Sequence, residues 1–236
     1  VHAHYGLSGL LACLQRIKPV VITFHGSDIY HSILNRFLSF IGSRLSTKNI
    51  FVHKDQIGMI PFSNNKSEII PCGVDVDIFK PINKDLAKSK MGLDIDRKYI
   101  LFSSHFSNKV KNYNLAKKVV NSLNAKVGLV ELKDFSIEEV NLLLNAVDLL
   151  LVTSIRETGP MIVKEAMASG CPIISNDVGD VKYVVQGIDG CSVVSSNQFE
   201  DFTEIINVLL EDESRIKGRQ RIMDLNLDTM SIAEKI

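Results

Sequence analysis

The segment from Glu157 to Glu165 contains the residue types best suited to catalysis and ligand binding. This stretch follows an apolar strand, turns through Gly159 and enters a predicted helix that begins with Pro160, a favoured first position for proline. The unpaired N–H groups and positive dipole end of a helix start suit a phosphate. One carboxylate could therefore face a reacting group while the other accepts hydrogen bonds from hydroxyls. On their spacing alone, two surface glutamates bracketing an amphipathic helix are the simpler interpretation.

The elements around this stretch repeat one pattern, in which short apolar strands alternate with amphipathic helices. This alternation is typical of parallel βα units. Strands are predicted over residues 1–4, 20–24, 49–52, 67–70, 99–103, 125–129, 148–153, 172–175 and 191–194. Helices are predicted over residues 8–17, 29–45, 55–60, 84–91, 113–124, 137–145, 161–168 and 199–211. Ligands of such sheets bind outside the carboxyl ends of the strands, where the Glu157 turn should lie.

A break in the alternation predicts two domains. Pro71-Cys72-Gly73 interrupts the pattern, a connector continues to Pro81, and the alternation then starts again. We therefore expect an α/β protein with two Rossmann-like domains, over residues 1–81 and 82–236. The first domain is expected to be truncated, because the chain begins inside a strand and without a methionine.

The amino-acid composition argues against several classes of binding partner. The 236 residues include 27 Lys and Arg and 27 Asp and Glu, and this zero net charge argues against nucleic acid as a partner. The most apolar run, residues 142–155, is too short to span a membrane and contains Asp148. Four scattered cysteines support neither a zinc site nor a disulfide scaffold. They suit free thiols in a reducing cytoplasm.

Several segments, taken together, resemble retaining glycosyltransferase family 4. Glu157 and Glu165, followed by Ala-Met-Ala-Ser-Gly, are similar to that family's E-x7-E motif. Residues 1–4 read Val-His-Ala-His, residues 23–26 read Thr-Phe-His-Gly, and residues 171–175 read Cys-Pro-Ile-Ile-Ser. Residues 70–81 match the I-P-N-G-V-D-x-x-x-F-x-P connector, with Cys72 in place of its asparagine.

The resemblance implies a GT-B fold, in which two Rossmann-like domains face each other across a cleft. The second domain would hold a nucleotide-sugar donor, and the first a glycan or lipid-linked acceptor. The implied reaction transfers a sugar with retention and needs no metal or other cofactor. Without a divalent ion, a lysine and helix-end amides must neutralise the diphosphate leaving group.

The resemblance also assigns residues to this reaction. The implied catalytic residues are His25, Lys111 and Glu157. The implied donor-binding residues are His105, Lys109, Lys111, Gly159, Met161, Ile162 and Glu165. The acceptor side would comprise His4, Tyr5 and Asp28.

Three of these assignments leave alternatives open. His105 stands where the family has an arginine, so either His105 donates a hydrogen bond or Lys109 supplies the cation. Pro160 has no N–H, so the amides of Met161 and Ile162 must form the phosphate cradle. His25 ends a predicted strand and could instead be a structural residue.

The leading hypothesis is a cytoplasmic hexosyltransferase that builds a cell-surface glycan. A nucleotide-sugar epimerase and a degenerate nucleotide-sugar-binding domain are the alternatives. Apolar residues at helical spacing, among them Ile33, Leu34 and Phe37, lie near Arg36 and Arg44. Such a helix could rest on the inner face of an anionic membrane, but a core helix packed on the sheet is the favoured interpretation.

Overall fold

The computed structural model describes residues 1–60, 67–212 and 214–236. It divides into two compact units. The first comprises residues 1–72 and 232–236, and the second comprises residues 73–231. Each unit is an α/β structure built on one parallel sheet.

The connector residues 73–81 pack with the second unit, so the division falls earlier than the boundary predicted after Pro81. Val74 forms a bridge with Asp228. The side chain of Arg219 donates to the carbonyl oxygens of Val76 (2.7 Å) and Phe79 (2.9 Å). Phe79 is buried. These contacts fix the connector to the body of the second unit.

The first unit contains a four-stranded parallel sheet in the order β1-β2-β3-β4. Its strands are β1 (His2–His4), β2 (Val21–Phe24), β3 (Lys48–Phe51) and β4 (Ser67–Ile69). Its helices are α1 (Gly6–Leu14), α2 (Ser27–Tyr30) and α3 (Ile33–Leu45), and a 3-10 helix spans Lys54–Met59. The helix predicted over residues 29–45 is broken, because the Ser32 side chain accepts from Asn35 N and starts α3 afresh.

Helix α3 buries small residues and exposes several of its large apolar ones. Ser39, Gly42 and Ser43 are its buried residues, whereas Ile33, Leu34 and Phe37 are 84%, 65% and 57% exposed. The expectation that these three apolar residues pack in the core is therefore wrong. The small residues let α3 pack closely on α1, where a Cβ added at Gly6 would lie 1.8 Å from Ser39 Oγ.

The second unit contains a five-stranded parallel sheet in the order β6-β5-β7-β8-β9. Its strands are β5 (Lys98–Phe102), β6 (Val127–Glu131), β7 (Leu149–Val152), β8 (Ile173–Asn176) and β9 (Cys191–Val194). The order reverses between β5 and β7, which neighbour each other although β6 comes between them in the chain. In open α/β sheets, ligands bind at this reversal, outside the carboxyl ends of the strands.

Eight helices connect and follow these strands among the described residues. They are α4 (Lys84–Lys90), α5 (Tyr113–Asn121), α6 (Ile137–Ala146), α7 (Met161–Ser169), α8 (Val181–Val185), α9 (Phe199–Leu209), α10 (Gly218–Asp224) and α11 (Thr229–Lys235). Helices α5 and α9 pack against one face of the sheet and bury an apolar core with it. That core includes Ile100, Phe102, Leu151 and Phe202.

The α/β fold class predicted from the sequence is confirmed, since all nine predicted strands are present within two residues of their predicted bounds. Helices α8, α10 and α11 were not predicted. Within the described ranges, no helix combines the length and hydropathy needed to cross a bilayer. Within the described part of the chain, Cys13, Cys72, Cys171 and Cys191 form no disulfide.

Candidate functional site

Lys111 and Glu157 form an ion pair at the reversal of the second sheet. Their Nζ and Oε1 atoms lie 2.6 Å apart, and their side chains are only 18% and 14% exposed. Lys111 ends a short 3-10 helix (Lys109–Lys111) after β5, and Glu157 lies in the turn between β7 and α7. The fold therefore brings these two predicted site residues together from separate loops.

The two loops are held together by their backbones. Ile155 N donates to the carbonyl of Val110 over 2.8 Å. The buried Thr153 hydroxyl donates to the carbonyl oxygens of Lys111 (2.9 Å) and Asn112 (3.1 Å). The positions of the Lys111 and Glu157 side chains are thus fixed by main-chain contacts at the ends of adjacent strands.

Helix α7 begins immediately after the Glu157 turn. Pro160 is its N-cap, and the amides of Met161 and Ile162 fall in the first turn, where a helix supplies no internal acceptor. Glu165 lies on the next turn and is largely buried. Burial raises the pKa of Glu165 from 4.5 to about 7. The helix start offers N–H donors, and Glu165 offers a carboxylate that is easily protonated.

A second ion pair, between helix α7 and the loop after β8, lies beside the Glu157 turn. Lys164 Nζ lies 3.2 Å from Asp180 Oδ2, and their side chains are 1% and 15% exposed. A Cβ added at Gly159 would lie 3.0 Å from Asp180 Oδ2, and one added at Gly179 would lie 2.5 Å from the Thr158 carbonyl oxygen. Gly179 also has a φ of +56°. Glycine at both positions therefore lets the loop after β8 pack directly on the turn.

Sequence reasoning missed this second pair. The available signal was a lysine inside a helix segment whose other residues are mostly apolar, because an unpaired lysine is rarely buried. Its partner Asp180 comes from a different βα loop, so no local pattern indicates that the two side chains are close.

The other predicted donor-binding residues lie on the loop after β5. His105 and Lys109 are exposed, and His105 Nδ1 lies 2.8 Å from Ser107 Oγ. Neither residue is part of the Lys111–Glu157 ion pair. Which of them takes the place of the family's arginine stays a prediction.

In the first unit, three histidines cluster at the ends of β1 and β2. His4 Nδ1 and His25 Nε2 are hydrogen-bonded at 2.8 Å, and the rings of His2 and His4 stack with centroids 4.7 Å apart. The Tyr5 ring lies 4.8 Å from the His25 ring. Burial, and secondly the charge of His4, lower the pKa of His25. His25 also contacts a thiol, with Cys72 Sγ 3.8 Å from its Nδ1.

Asp28 connects the same two strand ends. Its Oδ2 accepts from Gly6 N (3.0 Å) and its Oδ1 accepts from Gly26 N (2.8 Å). Burial raises the pKa of Asp28 against the opposing effect of these bonds. Asp28 and Tyr5 also line a pocket of about 350 Å³. The predicted acceptor-side residues therefore lie together, with Asp28 holding the backbone turns and Tyr5 exposed.

Among the residues that the structure describes, no group of three or more His, Cys, Asp or Glu side chains is placed to hold a metal ion.

One known protein family matches a segment of the second unit. The sequence model of the family described as Glycosyl transferases group 1 matches residues 111–212. The match starts at Lys111 and contains Glu157, Glu165 and the Lys164–Asp180 pair. Residues 111–212 are therefore similar to the group 1 glycosyltransferases.

Curated proteins align with this chain beyond the matched stretch. The chain is 23% identical to the D-inositol 3-phosphate glycosyltransferase of Mycobacterium tuberculosis, over 93% of this chain and 55% of that protein. The chain thus spans about half the length of the curated relatives that it matches.

Solved structures share the Rossmann-like α/β fold of this chain. Sucrose-phosphate synthase from Thermosynechococcus elongatus matches with a TM-score of 0.77 and 18% identity, over 99% of this chain and 71% of that one. HepE from Anabaena, solved in complex with UDP-glucose, matches with a TM-score of 0.78 and 16% identity, over 98% of this chain and 74% of that one.

Proposed function

We propose that this protein is a retaining, metal-independent family 4 glycosyltransferase that moves a sugar from a nucleotide-sugar to a glycan or lipid-linked acceptor. The observation that carries the proposal is the Lys111–Glu157 ion pair at the strand-order reversal. A cation at this position, close to a helix start, suits the diphosphate of a donor. The complex of the structurally similar HepE with UDP-glucose supports the same class of donor.

In this proposal Lys111 stabilises the leaving group. Negative charge on the nucleoside diphosphate is largest in the transition state, so a fixed cation lowers the barrier more than it strengthens donor binding. The first amides of α7 add hydrogen bonds to the same phosphates. Because Lys111 is paired with Glu157, the diphosphate must replace Glu157 as its partner. Glu157 is then available to a hydroxyl of the transferred sugar.

Glu165 is proposed to bind the donor ribose. An ionised carboxylate accepts charge-assisted hydrogen bonds from two hydroxyls. Since the pKa of Glu165 is raised to about 7, donor binding should strengthen as the pH rises through neutrality.

On the first unit, His25 is proposed to act at the acceptor side, with His4 and Tyr5 beside it. The hydrogen bond between His4 and His25 restricts the rotation of the His25 ring. The lowered pKa of His25 favours the neutral ring, which can accept as well as donate a hydrogen bond.

We also propose peripheral contact with the cytoplasmic face of a membrane through α3. Its exposed Ile33, Leu34 and Phe37 can enter the acyl boundary while Arg36 meets anionic headgroups. This contact suits a lipid-linked acceptor. Sedimentation with anionic and neutral vesicles tests it: binding should require anionic lipid and should be lost in Phe37→Ser.

A transfer assay on the protein at its natural length tests the proposed reaction. A panel of nucleotide-sugars is incubated with and without acceptors, and diphosphate release and the anomeric form of the product are measured. Acceptor-dependent release with retention supports the proposal. Epimerised donor without release would favour an epimerase, and binding without turnover would favour a degenerate domain.

A further inference from the structure

A pocket of about 450 Å³ with both polar and apolar lining residues opens at the carboxyl ends of β7, β8 and β9. Its polar lining residues come from four loops and are Asn112, Ser154, Asn176, Asp177, Ser195 and Asn197. Neither Lys111, Glu157 nor Glu165 lines it. Its volume is within the range of small-molecule sites.

Two residues that line this pocket each have a buried polar side-chain atom without a hydrogen-bond partner. Ser154 is 0% exposed and Asn176 is 5% exposed, and Ser154 Oγ and Asn176 Oδ1 are both unsatisfied. Asn176 Nδ2 donates to the carbonyl of Ser154 over 3.1 Å, which fixes the orientation of the amide and leaves Oδ1 as the free acceptor. Leaving buried polar groups unpaired is costly, so each such group calls for an explanation.

The remaining polar groups around the pocket include both hydrogen-bond donors and hydrogen-bond acceptors. Helices α5 and α9 begin beside it, after Asn112 and Gln198, and neither has a side-chain cap. Their first amides are therefore donors, whereas Asn176 Oδ1 and Asp177 are acceptors. On the exposed surface, Lys182 Nζ lies 3.8 Å from Asp177 Oδ2. Among the described residues, no Lys, Arg or His lines the pocket itself.

This mixture of groups disfavours an anion, which could not donate to Asn176 Oδ1 and would meet the Asp177 carboxylate. A sugar ring suits it, because each hydroxyl both donates and accepts. We propose that this pocket binds a neutral carbohydrate, whose hydroxyls satisfy Ser154 Oγ and Asn176 Oδ1. The inference goes beyond the proposed function, because it requires neither donor nor transfer. In a protein that extends glycans, such a pocket would hold a sugar residue of the glycan.

The test is a titration of the 236-residue chain with neutral sugars, followed by saturation-transfer NMR and calorimetry. The panel contains glucose, galactose, mannose, N-acetylglucosamine and their common disaccharides. At least one sugar should bind saturably, and Ser154→Ala should weaken its binding about three- to tenfold. Because Ser154 Oγ has no protein partner, this variant removes a ligand contact and no internal hydrogen bond.

Ser103→Ala is the matched control. Ser103 Oγ is also buried and unsatisfied, but Ser103 does not line the pocket, so sugar affinity should not change. Asn197→Ala, at an exposed lining residue, provides a second test and should also weaken binding.

Three results would overturn the inference: no sugar of the panel binds, Ser154→Ala and Ser103→Ala behave alike, or binding is lost in Glu165→Gln rather than in Ser154→Ala. Inorganic phosphate that binds with Ser154 dependence, where sugars do not, would also overturn it. Binding of UDP and GDP is measured separately, so failure of this inference and failure of the proposed function are distinguishable.

Discussion

The two units hold their candidate residues by different means. In the second unit, opposite charges pair at Lys111–Glu157 and Lys164–Asp180, both largely buried. In the first unit, two imidazole rings pair instead, because His4 and His25 are joined by a hydrogen bond. An ion pair can exchange its anion for a ligand anion, whereas an imidazole pair is disrupted when both rings are protonated. This contrast suits the proposed roles, an anionic donor in the second unit and a neutral, hydroxyl-bearing acceptor in the first.

Breaking the Lys164–Asp180 pair should have the largest effect on stability. Lys164→Met leaves Asp180 without its cation in a mostly buried position, which should cost about 3 kcal/mol in the free energy of unfolding. Urea denaturation measures this cost. In the double variant Lys164→Met/Asp180→Asn, most of the stability should return. A double variant no more stable than the single one would show that the two side chains are not coupled.

Removing Lys111 should have the largest effect on turnover. Lys111→Ala should lower kcat on the order of 10²–10³-fold and change the donor KM less, because the lost contact is strongest in the transition state. Steady-state kinetics of transfer give both values. Lys117→Ala, an exposed lysine on α5, is the control and should retain wild-type turnover. An unchanged kcat in Lys111→Ala would remove this lysine from the mechanism.

Glu165 should make both stability and donor binding depend on pH. Its folded pKa of about 7 lies above the unfolded value of 4.5, so the folded state binds a proton more tightly. Stability from this group is present below pH 4.5 and is lost as the pH rises through 7, on the order of 2–3 kcal/mol. Denaturation at pH 5 and pH 8 should show Glu165→Gln gaining stability over wild type only at pH 8.

Donor binding should change with pH in the opposite direction. Wild-type affinity for the donor should rise between pH 6 and pH 8, whereas that of Glu165→Gln should be weak and flat. Parallel pH profiles in the two proteins would contradict the assignment of Glu165 to the ribose.

The smallest expected effect is a shift in the pKa of His25, in the first unit. The pKa of His25 is lowered by burial and then by His4, raised by Asp28 and lowered further by His2. His4→Phe keeps an aromatic ring but removes the charge, so the pKa of His25 should rise toward its ordinary value. An NMR titration of the His25 ring protons measures this, with His31→Phe as the control. A titration of His25 that is unchanged by His4→Phe would show that the two rings are not coupled.

The sequence was sufficient for the strands of both units and for the edge of the sheet on which Lys111 and Glu157 lie, but not for helices α8, α10 and α11. Apolar strands such as Leu149–Val152 are buried on both faces and are recognisable as uninterrupted apolar runs. Lys111 and Glu157 each follow such a strand, and strand ends in a parallel sheet lie on one edge. The shared edge follows from the parallel strands, whereas the contact itself depends on β5 and β7 being neighbours in the sheet.

Other features depend on contacts that a local pattern does not contain. The Lys164–Asp180 pair joins two separate βα loops, and the unsatisfied Ser154 and Asn176 become visible only when the pocket is formed. Helical spacing identified an apolar face on α3, but not whether that face or the one with Ser39 and Gly42 would be buried. The close approach of α1 decided it, because only the small residues fit there.

Calorimetry of nucleoside diphosphate binding tests the central claim, that Lys111 exchanges Glu157 for a diphosphate, most directly. The tightest of UDP, GDP and ADP is titrated into wild type, Lys111→Ala and Glu157→Gln. Lys111→Ala should lose at least about tenfold in affinity, whereas Glu157→Gln should bind the sugar-free nucleotide several-fold more tightly, because the competing anion is gone. Equal affinities in all three proteins, or weaker binding in Glu157→Gln, would contradict this account of the site.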